Sequence, residues 1–420
     1  MTIPSVRGMK DILPPDSARW AALESAYLAY AARFGFRGIR TPILERTELF
    51  ARAVGETTDI VEKEMYSFTD RSGENLTMRP EGTAPVVRAL LSHRAELGEW
   101  PVRLCYTGPM FRHERPQKGR LRQFHQFGAE IFGTESPYAD VEILAFLSGF
   151  LAEAGLTAVS LEINSLGDPA CRPPYHRKLS DFLASRDRDL CEDCRRRRVR
   201  NPLRVLDCKS ERCMEATADA PSILESLCDD CRLHFESVEK VLGAIGIPFS
   251  RNPRMVSGLD YYRRTAFEFV IPGMGAQNTV AAGGRYDGLA EMIGGKESIP
   301  AIGFAIGVER LLMLLGDGEG GGPAAEVFLV TSTPRFLEEA FRWKTELIGK
   351  GVRVEMDYEG RSVKAQFRRA DRSGAKAVVI FGEAEESRGT VGFRDMAAGS
   401  QDEISRDEAM RRLIRLTKEE

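Results

Sequence analysis

The stretch Arg103–Gly133, RLCYTGPMFRHERPQKGRLRQFHQFGAEIFG, decides the fold of this 420-residue chain. Apolar-rich runs at both of its ends predict two strands, and Gly119 predicts the turn between them. The centre of the stretch is strongly basic and contains Arg112, Arg115, Lys118, Arg120 and Arg122. Because planar guanidinium groups bind phosphate oxygens through two hydrogen bonds each, this hairpin predicts a polyphosphate site. A solvated basic hairpin is the alternative that the charge alone leaves open.

Two patterns inside this stretch narrow the interpretation. Phe-Arg-x-Glu spans Phe111–Glu114, and Arg120-x-x-x-Phe124 follows it. Together they resemble motif 2 of the class II aminoacyl-tRNA synthetases, and residues 111–130 resemble the histidyl-tRNA synthetase family in particular. The resemblance implies that Arg112 binds the α-phosphate of ATP, that Glu114 accepts from the adenine amino group, that Phe124 stacks on adenine and that Arg120 reaches the terminal phosphates.

Other segments resemble further motifs of the same family, in the family's order. Gly38–Leu44, a predicted edge strand that contains Pro42, has the form of motif 1, which builds the dimer interface in that family. The run GFAIGVER, residues 303–310, resembles motif 3, whose glycines open the helix–sheet packing and whose arginine, here Arg310, meets the γ-phosphate. The resemblance implies an α+β catalytic domain, an antiparallel sheet flanked by helices, and a homodimer formed through Ala21–Ile60.

The segments LDYY (Leu259–Tyr262) and GGRYDG (Gly283–Gly288) resemble the two histidine signatures of this family. A site that distinguishes imidazole must satisfy both ring nitrogens, since a buried unpaired polar group costs about 1–3 kcal/mol. The resemblance assigns histidine binding to Glu81, Thr83, Gln126, Glu130, Tyr261, Tyr262 and Tyr286. Within this set the α-amino group is expected at Glu81, Thr83 and Gln126. The side chains expected to act in catalysis are Arg112, Gln126 and Arg310.

One position departs from the family pattern. The first histidine signature normally carries an arginine directly before Gly-Leu-Asp-Tyr-Tyr, where it contacts the substrate carboxylate and the α-phosphate, and this chain has Ser257 there. A serine hydroxyl offers one hydrogen bond and no charge, so transition-state stabilisation should be weaker. Arg254, Arg263 or Arg264 can substitute only if one of them faces the pocket.

Composition is that of a globular protein, with 43% hydrophobic residues, 29% charged residues and a net charge of −3. No apolar run approaches the roughly 20 residues that span a bilayer. The N-terminal run MTIPSVRGMKDILPP lacks the apolar core segment that a signal peptide has. We therefore expect a cytoplasmic protein without a membrane segment. At a pI of about 6.1, a nucleic-acid partner would have to meet local basic patches.

Most of the eight cysteines lie between Cys191 and Cys231. In a cytosolic protein, C-x-x-C pairs indicate zinc before they indicate disulfides, because both thiolates of a pair can face one tetrahedral ion. The leading ligand set for a structural Zn2+ is therefore Cys191, Cys194, Cys228 and Cys231, with Cys208 or Cys213 as substitutes. Reduced structural thiols are the alternative.

Differences in amino-acid composition and in predicted secondary structure divide the chain into several parts. Residues 1–164 and 250–318 predict the two parts of the catalytic core, and residues 165–249 a cysteine- and arginine-rich inserted domain. The glycine-rich run near residues 319–325 predicts a linker. Residues 326–420 alternate strands with helices, which predicts a small α/β domain with a largely parallel sheet. By the resemblance this last domain binds the anticodon.

These motifs imply activation of L-histidine with ATP to histidyl-adenylate, then transfer to the 3′ end of tRNA(His). Mg2+ would bridge the phosphates, with Glu130 or a neighbour helping. An alternative is a non-catalytic regulatory paralogue of ATP phosphoribosyltransferase in histidine biosynthesis, which the loss of arginine at Ser257 favours. Such paralogues generally lack the anticodon-binding domain. A class II enzyme for threonine, proline or glycine would share the C-terminal domain type but not LDYY and GGRYDG.

Overall fold

The structure, a computed structural model, describes residues 3–55, 58–117, 119–256, 259, 261–273, 278–316 and 325–415. Ser257, Lys118 and most of the predicted linker lie outside these residues. The chain divides into two compact units, Met1–Gly318 and Glu319–Glu420. The finer boundaries predicted for the inserted domain and the linker stay predictions.

An eight-stranded sheet is the centre of the first unit. Neighbouring strands are antiparallel except at the two edges, where the outermost pairs are parallel. The predicted antiparallel sheet is thereby confirmed. In spatial order its strands are β1 (Arg37–Gly38), β5 (Val102–Phe111), β6 (Gln123–Phe132), β11 (Ala301–Gly307), β10 (Thr279–Arg285), β9 (Arg263–Val270), β7 (Ser160–Ser165) and β8 (Phe249–Arg251).

A small antiparallel sheet and a set of helices complete the first unit. The small sheet has the order β2 (Leu44–Arg46), β4 (Asn75–Met78), β3 (Tyr66–Thr69). The helices are α1 (Asp16–Arg33), α2 (Thr47–Val54), α3 (Thr83–Ser92), α4 (Pro137–Glu153), α5 (Arg172–Ser185), α6 (Glu192–Arg200), α7 (Leu203–Leu206), α8 (Glu211–Ala216), α9 (Asp229–Ala244), α10 (Leu289–Met292) and α11 (Val308–Leu314). None of the described helices combines the length and apolar character needed to cross a membrane.

The single strand predicted at Gly38–Leu44 is wrong. The chain leaves the large sheet after Gly38 and joins the small sheet at Leu44, so two short strands replace one. Ile39 still donates its amide to the carbonyl of Cys105 at 2.8 Å. Pro42 has no amide donor, and it lies in the part that changes sheets.

The second unit contains the predicted α/β domain. Its sheet has the order β13 (Val354–Met356), β12 (Val327–Thr331), β14 (Ala377–Phe381), β15 (Thr390–Asp395), β16 (Gln401–Ser405). Strand β12 is parallel to both of its neighbours, whereas β15 and β16 continue the sheet antiparallel, so the predicted parallel sheet is only part of it. Its helices are α12 (Leu337–Gly349), α13 (Val363–Ser373), α14 (Glu383–Ser387) and α15 (Arg406–Arg415).

The two faces of the large sheet bury different residues, because side chains alternate along each strand. Phe127 and Ala129 of β6 join the hydrophobic core formed with α1 and α4. Tyr106 of β5 joins a second core on the other side, together with residues of α3 and Tyr286. Glu130 is offset by one residue from Ala129 and therefore points to this second side.

A buried ionic network ties α4 and α9 to the sheet. Arg285 and Asp140 are both fully buried, and Arg285 Nε lies 3.1 Å from Asp140 Oδ1. His234 of α9 places Nε2 2.6 Å from Asp140 Oδ2, and Thr265 donates to the same oxygen. Burial would raise the pKa of Asp140, but Arg285 and His234 keep it below its usual value. The arginine of the GGRYDG segment therefore supports the fold.

Candidate active site

A cavity of about 440 Å³ opens over β6, β9, β10 and β11. It is bounded by the loop between β5 and β6 on one side and by the start of α11 on the other. All five residues predicted to bind ATP line this cavity: Arg112, Glu114, Arg120, Phe124 and Arg310. Motifs 2 and 3, which are far apart in sequence, therefore meet at one place.

Motif 2 holds its charged side chains close together. Arg112 donates from Nε to the carbonyl of Pro80 at 2.8 Å, and its guanidinium carbon lies 5.2 Å from the centre of the Phe124 ring. Arg120 donates from Nη1 to Glu114 Oε2 at 3.1 Å. Because Pro80 binds only the inner nitrogen of Arg112, the guanidinium has a fixed orientation beside an aromatic ring.

Motif 3 supplies a second basic side chain. Arg310 donates from Nη1 to the carbonyl of Thr279. Burial lowers the pKa of Arg310, and the neighbouring charge of Arg120 lowers it further. Two guanidinium groups that face one partly buried volume repel each other, so this end of the cavity favours an anion. Glu309 fixes the start of α11, because its two carboxylate oxygens accept from the backbone amide of His125 at 2.9 and 3.0 Å.

A buried carboxyl lies on strand β6, the same strand as the cavity residue Gln126. Glu130 is fully buried, and its Oε1 accepts from Thr83 Oγ1 at 2.8 Å and from the Tyr106 hydroxyl at 3.4 Å. Its Oε2 accepts from the Tyr286 hydroxyl. Burial raises the pKa of Glu130 to about 8. This enclosure by three hydroxyl groups argues against the predicted help of Glu130 in binding Mg2+.

Glycines make room for this carboxyl and its partners. Gly303 of motif 3 pairs with Glu130 across β11 and β6, and a Cβ atom at Gly303 would lie 1.5 Å from Glu130 Oε2. A Cβ at Gly82 or Gly128 would lie 2.2 Å from the Tyr106 ring. Gly303 was predicted to open helix–sheet packing, but its observed role is to accommodate Glu130. Tyr106 was missed from the sequence because it carries no motif.

Glu81 and Thr83 connect helix α3 to the group of buried polar side chains around Glu130, which we call the floor of the site. Glu81 accepts from the amide of Thr83 at 2.7 Å and from that of Ala84 at 2.9 Å, so its carboxyl caps the start of the helix. Burial raises the pKa of Glu81 although these amides lower it. Thr83 in turn donates to Glu130. The residues predicted for the two ends of histidine thus belong to one hydrogen-bonded chain.

Gln126 and the three predicted tyrosines complete the histidine set. Gln126 lines the cavity, and its buried Oε1 has no hydrogen-bond partner among the described residues. The ring centre of Tyr261 lies 4.8 Å from that of Tyr262 and 5.6 Å from that of Tyr286. Buried polar atoms are normally paired, so the unpaired oxygen of Gln126 indicates a site for a ligand donor.

None of the three arginines proposed to replace the missing one lines the cavity. Arg254 donates to the carbonyls of Thr217 and Leu206 at 2.6 and 3.2 Å, within the predicted inserted domain. The guanidinium of Arg263 packs beneath Gly288. Arg264 lies 4.0 Å from Glu135. Ser257 itself lies outside the described residues, so its effect stays a prediction.

The predicted zinc ligand set is wrong, because its two C-x-x-C pairs belong to different clusters. Each pair lies at the start of a different helix, α6 or α9, and finds its remaining partners elsewhere. Within each cluster the donor atoms lie within 4.8 Å of one another. The clusters are Cys191, Cys194, Cys208, Cys213 and Asp168, Cys171, Cys228, Cys231.

Family models, related sequences and solved structures all indicate the same protein family. A histidyl-tRNA synthetase family model matches residues 8–311, and an anticodon binding domain model matches residues 326–416. A histidine–tRNA ligase of Trichlorobacter lovleyi is 50% identical over 404 residues, which are 96% of each chain. That of Syntrophotalea carbinolica is 47% identical over 418 residues, which are 100% of each chain. The apo structure of Staphylococcus aureus histidyl-tRNA synthetase has a TM-score of 0.83 at 34% identity and covers 98% of this chain and 100% of its own.

The regulatory alternative is disfavoured by the same comparison. The match over residues 326–416 identifies the anticodon-binding domain that such paralogues generally lack. A structure described as an ATP phosphoribosyltransferase regulatory subunit/histidyl-tRNA synthetase from Bacillus halodurans has a TM-score of 0.64 at 21% identity, with 88% and 97% of the chains covered. At that identity the likeness concerns the fold alone.

The buried carboxyl generates a pH prediction. A carboxyl whose folded-state pKa is about 8 rather than 4.5 stabilises the fold fully below pH 4.5 and loses this contribution as the pH rises through 8. We expect wild type to lose stability relative to Glu130→Gln between pH 5 and pH 8.5, by a free energy of unfolding on the order of a few kcal/mol. Urea unfolding at both pH values measures this. The exposed Glu346→Gln is the control, and a pH-independent difference for Glu130→Gln would contradict the burial argument.

Proposed function

This chain belongs to the histidyl-tRNA synthetase family and is a histidine–tRNA ligase, and from this premise we propose which side chains hold each substrate. It activates histidine with ATP and transfers it to tRNA(His). The observation that carries the proposal is one cavity whose lining combines the basic residues of motifs 2 and 3 with Gln126 and Tyr262 of the predicted histidine set. A nucleotide above and an amino acid below would then meet where the reaction occurs.

ATP binds along the basic side of the cavity in this proposal. Phe124 stacks on the adenine ring, and Glu114 accepts from the adenine amino group. Arg112 holds the α-phosphate, while Arg120 and Arg310 bind the terminal phosphates. The fixed orientation of Arg112 and the mutual repulsion of the two other arginines support this arrangement. A polyphosphate relieves that repulsion and is held before charge develops on phosphorus.

Histidine lies on the polar floor. Gln126, Glu81 and Thr83 would bind the α-ammonium group, and the unpaired Oε1 of Gln126 supports this assignment. Glu130 with Tyr261, Tyr262 and Tyr286 would surround the imidazole. The buried hydroxyl of Tyr261 has no hydrogen-bond partner among the described residues. An amino acid without a ring nitrogen would leave it unpaired, which costs about 1–3 kcal/mol.

The reaction needs little covalent chemistry from the protein. A carboxylate oxygen of histidine attacks the α-phosphorus, a new oxygen–phosphorus bond forms, and the bond to the leaving pyrophosphate breaks. The side chains hold the two anions together and stabilise the charge that develops. Mg2+ would arrive with ATP and neutralise its phosphates. The carboxyls of Glu268 and Glu309 line the same cavity and are the proposed protein contacts for it.

A structural Zn2+ is proposed at the cluster of Cys191, Cys194, Cys208 and Cys213. The Sγ atoms of Cys191 and Cys208 lie 4.0 Å apart. Four thiolates at 2.3 Å from a tetrahedral zinc would be about 3.8 Å apart, so this donor set fits the ion. The amide of Cys191 also donates to Cys213 Sγ at 3.1 Å, as expected for a sulfur that accepts. Zinc here would crosslink short helices that share a small core.

We further propose a homodimer and a cytoplasmic location. The region Ala21–Ile60 exposes apolar side chains that a partner could cover: Leu28, Ile43 and Leu44 are 37%, 43% and 41% exposed. All eight cysteines are free of disulfides, which suits a reducing compartment. We also propose that residues 165–249 form a domain inserted between the two parts of the catalytic core.

Replacing the arginine proposed for the α-phosphate should abolish most adenylate formation. We expect Arg112→Ala to lower histidine-dependent exchange of pyrophosphate into ATP by about 100- to 1,000-fold, because one preorganised donor is lost. The matched control is Arg115→Ala, since Arg115 is exposed in the same loop and does not line the cavity. Near-normal exchange in a folded Arg112→Ala protein would refute the assignment.

Removing the unpaired acceptor should affect one substrate selectively. We expect Gln126→Leu to raise the histidine KM about ten- to a hundredfold, since a hydrogen bond to a charged group contributes about 1.5–3 kcal/mol. The ATP KM should change little. Gln123→Leu alters the same strand outside this cavity and serves as control. Equal increases in both KM values for Gln126→Leu would argue for a general distortion.

The C-terminal unit should serve tRNA charging and not activation. We expect a chain without residues 326–420 to keep histidine-dependent pyrophosphate exchange and to lose most aminoacylation of tRNA(His). The physical reason is that the cavity residues all belong to the first compact unit. Parallel assays of the two half-reactions check this, and an equal loss in both would indicate that the first unit needs the second for its stability.

A further inference from the structure

The second cysteine cluster lies where the predicted inserted domain joins the core. Asp168 and Cys171 follow strand β7, and Cys228 and Cys231 stand at the start of helix α9. The chain between them runs through α5 to α8. A bond between these two places would therefore close the base of the whole inserted segment.

The four donors have the spacing of one tetrahedral metal site. The Sγ of Cys228 lies 3.7 and 3.9 Å from the two carboxylate oxygens of Asp168. A zinc ion with one sulfur at 2.3 Å and one oxygen at 2.0 Å would hold them about 3.5 Å apart. Cys171 and Cys231 are buried, whereas Asp168 and Cys228 are partly exposed. The site is therefore shielded on one side and open to an entering ion on the other.

The two clusters repeat one backbone plan. Cys191 precedes α6 with φ −67° and ψ 164°, and Cys228 precedes α9 with φ −67° and ψ 165°. The amide of Cys191 donates to Cys213 Sγ at 3.1 Å, and that of Cys228 donates to Cys171 Sγ at 3.0 Å. In both places the first cysteine of a C-x-x-C pair thus binds the sulfur of a distant cysteine through its backbone. Such donation to sulfur orients and stabilises thiolate ligands.

From these observations we propose that Asp168, Cys171, Cys228 and Cys231 form a second metal site, separate from the four-cysteine site, for a divalent zinc-type cation. Three thiolates and one carboxylate suit a borderline-soft ion that accepts tetrahedral coordination. Its role is to fix the base of the inserted segment to the core. The alternative is a set of thiols that donate hydrogen bonds to Asp168 without a metal.

Hydrogen bonds also connect this site to the proposed histidine pocket. Arg172, next to the ligand Cys171, donates to the carbonyl of Leu166 at 3.0 Å and to the carbonyl of Tyr262. Leu166 in turn donates its amide to the carbonyl of Arg264 at 2.7 Å. The metal therefore holds the loop that positions Tyr262. This second part of the inference rests on the proposed function of Tyr262, whereas the metal site itself does not.

Native mass spectrometry of the full chain, produced with zinc and purified without chelator, tests the site. We expect two zinc ions per wild-type chain, one in Asp168→Ala, one in Cys208→Ala, and none when both are changed. Asp168→Cys should restore the second ion, because it supplies a fourth thiolate. Cys105→Ala, which removes a buried cysteine outside both clusters, should keep two. At most one ion in the wild type, or two ions retained in Asp168→Ala, would overturn the proposal.

Kinetics of the same proteins test the link to the pocket. We expect Asp168→Ala to raise the histidine KM several-fold with little change in the ATP KM, and Asp168→Cys to restore it. Loss of one zinc without any change in the histidine KM would overturn the positioning role and leave the site standing. A wild-type protein that binds two zinc ions but shows no histidine-dependent exchange would instead contradict the proposed function.

Discussion

The active site depends on a fully buried carboxyl. Glu130 has no exposed surface, and hydroxyl groups of Thr83, Tyr106 and Tyr286 are its partners. A buried carboxyl without partners would be strongly destabilising, so each neighbour is constrained by it. Gly303 must lack a side chain for the same reason. The motif 3 glycine, the α3 threonine and the histidine-signature tyrosine are thus parts of one requirement.

A second buried group connects this floor to the rest of the first unit. Arg285 is the last residue of strand β10 and directly follows Gly283 and Gly284 of the GGRYDG segment. Its charge is balanced by Asp140 of α4. His234 of α9 shares that carboxylate. Loss of one partner from such a pair typically costs about 3–5 kcal/mol, because the other charge stays buried. The base of the inserted segment is therefore coupled to the catalytic sheet through α9 and, by our proposal, through a metal ion.

The sequence predicted best those features of the fold and of the site that depend on residues close together in the chain. The hairpin around Gly119 and the basic residues of motif 2 are neighbours in the chain, so their grouping in one cavity could be foreseen. The cysteine pairs could not be assigned correctly, because ligand sharing depends on which distant loops meet, and Cys171 carried no local signal. The strand expected at Gly38–Leu44 divides between two sheets, which alternation of residue types cannot reveal. Tyr106 and Asp140 matter only through burial, and burial is a property of the folded chain.

The central claim is that the polar floor around Glu130 makes this a site for histidine. Pyrophosphate exchange into ATP, run with histidine and separately with threonine, proline and glycine, measures this selectivity directly. The account predicts exchange with histidine alone, because the other three amino acids have no imidazole to pair with the buried groups. Exchange of similar rate with any of those three, or none with histidine, would contradict it.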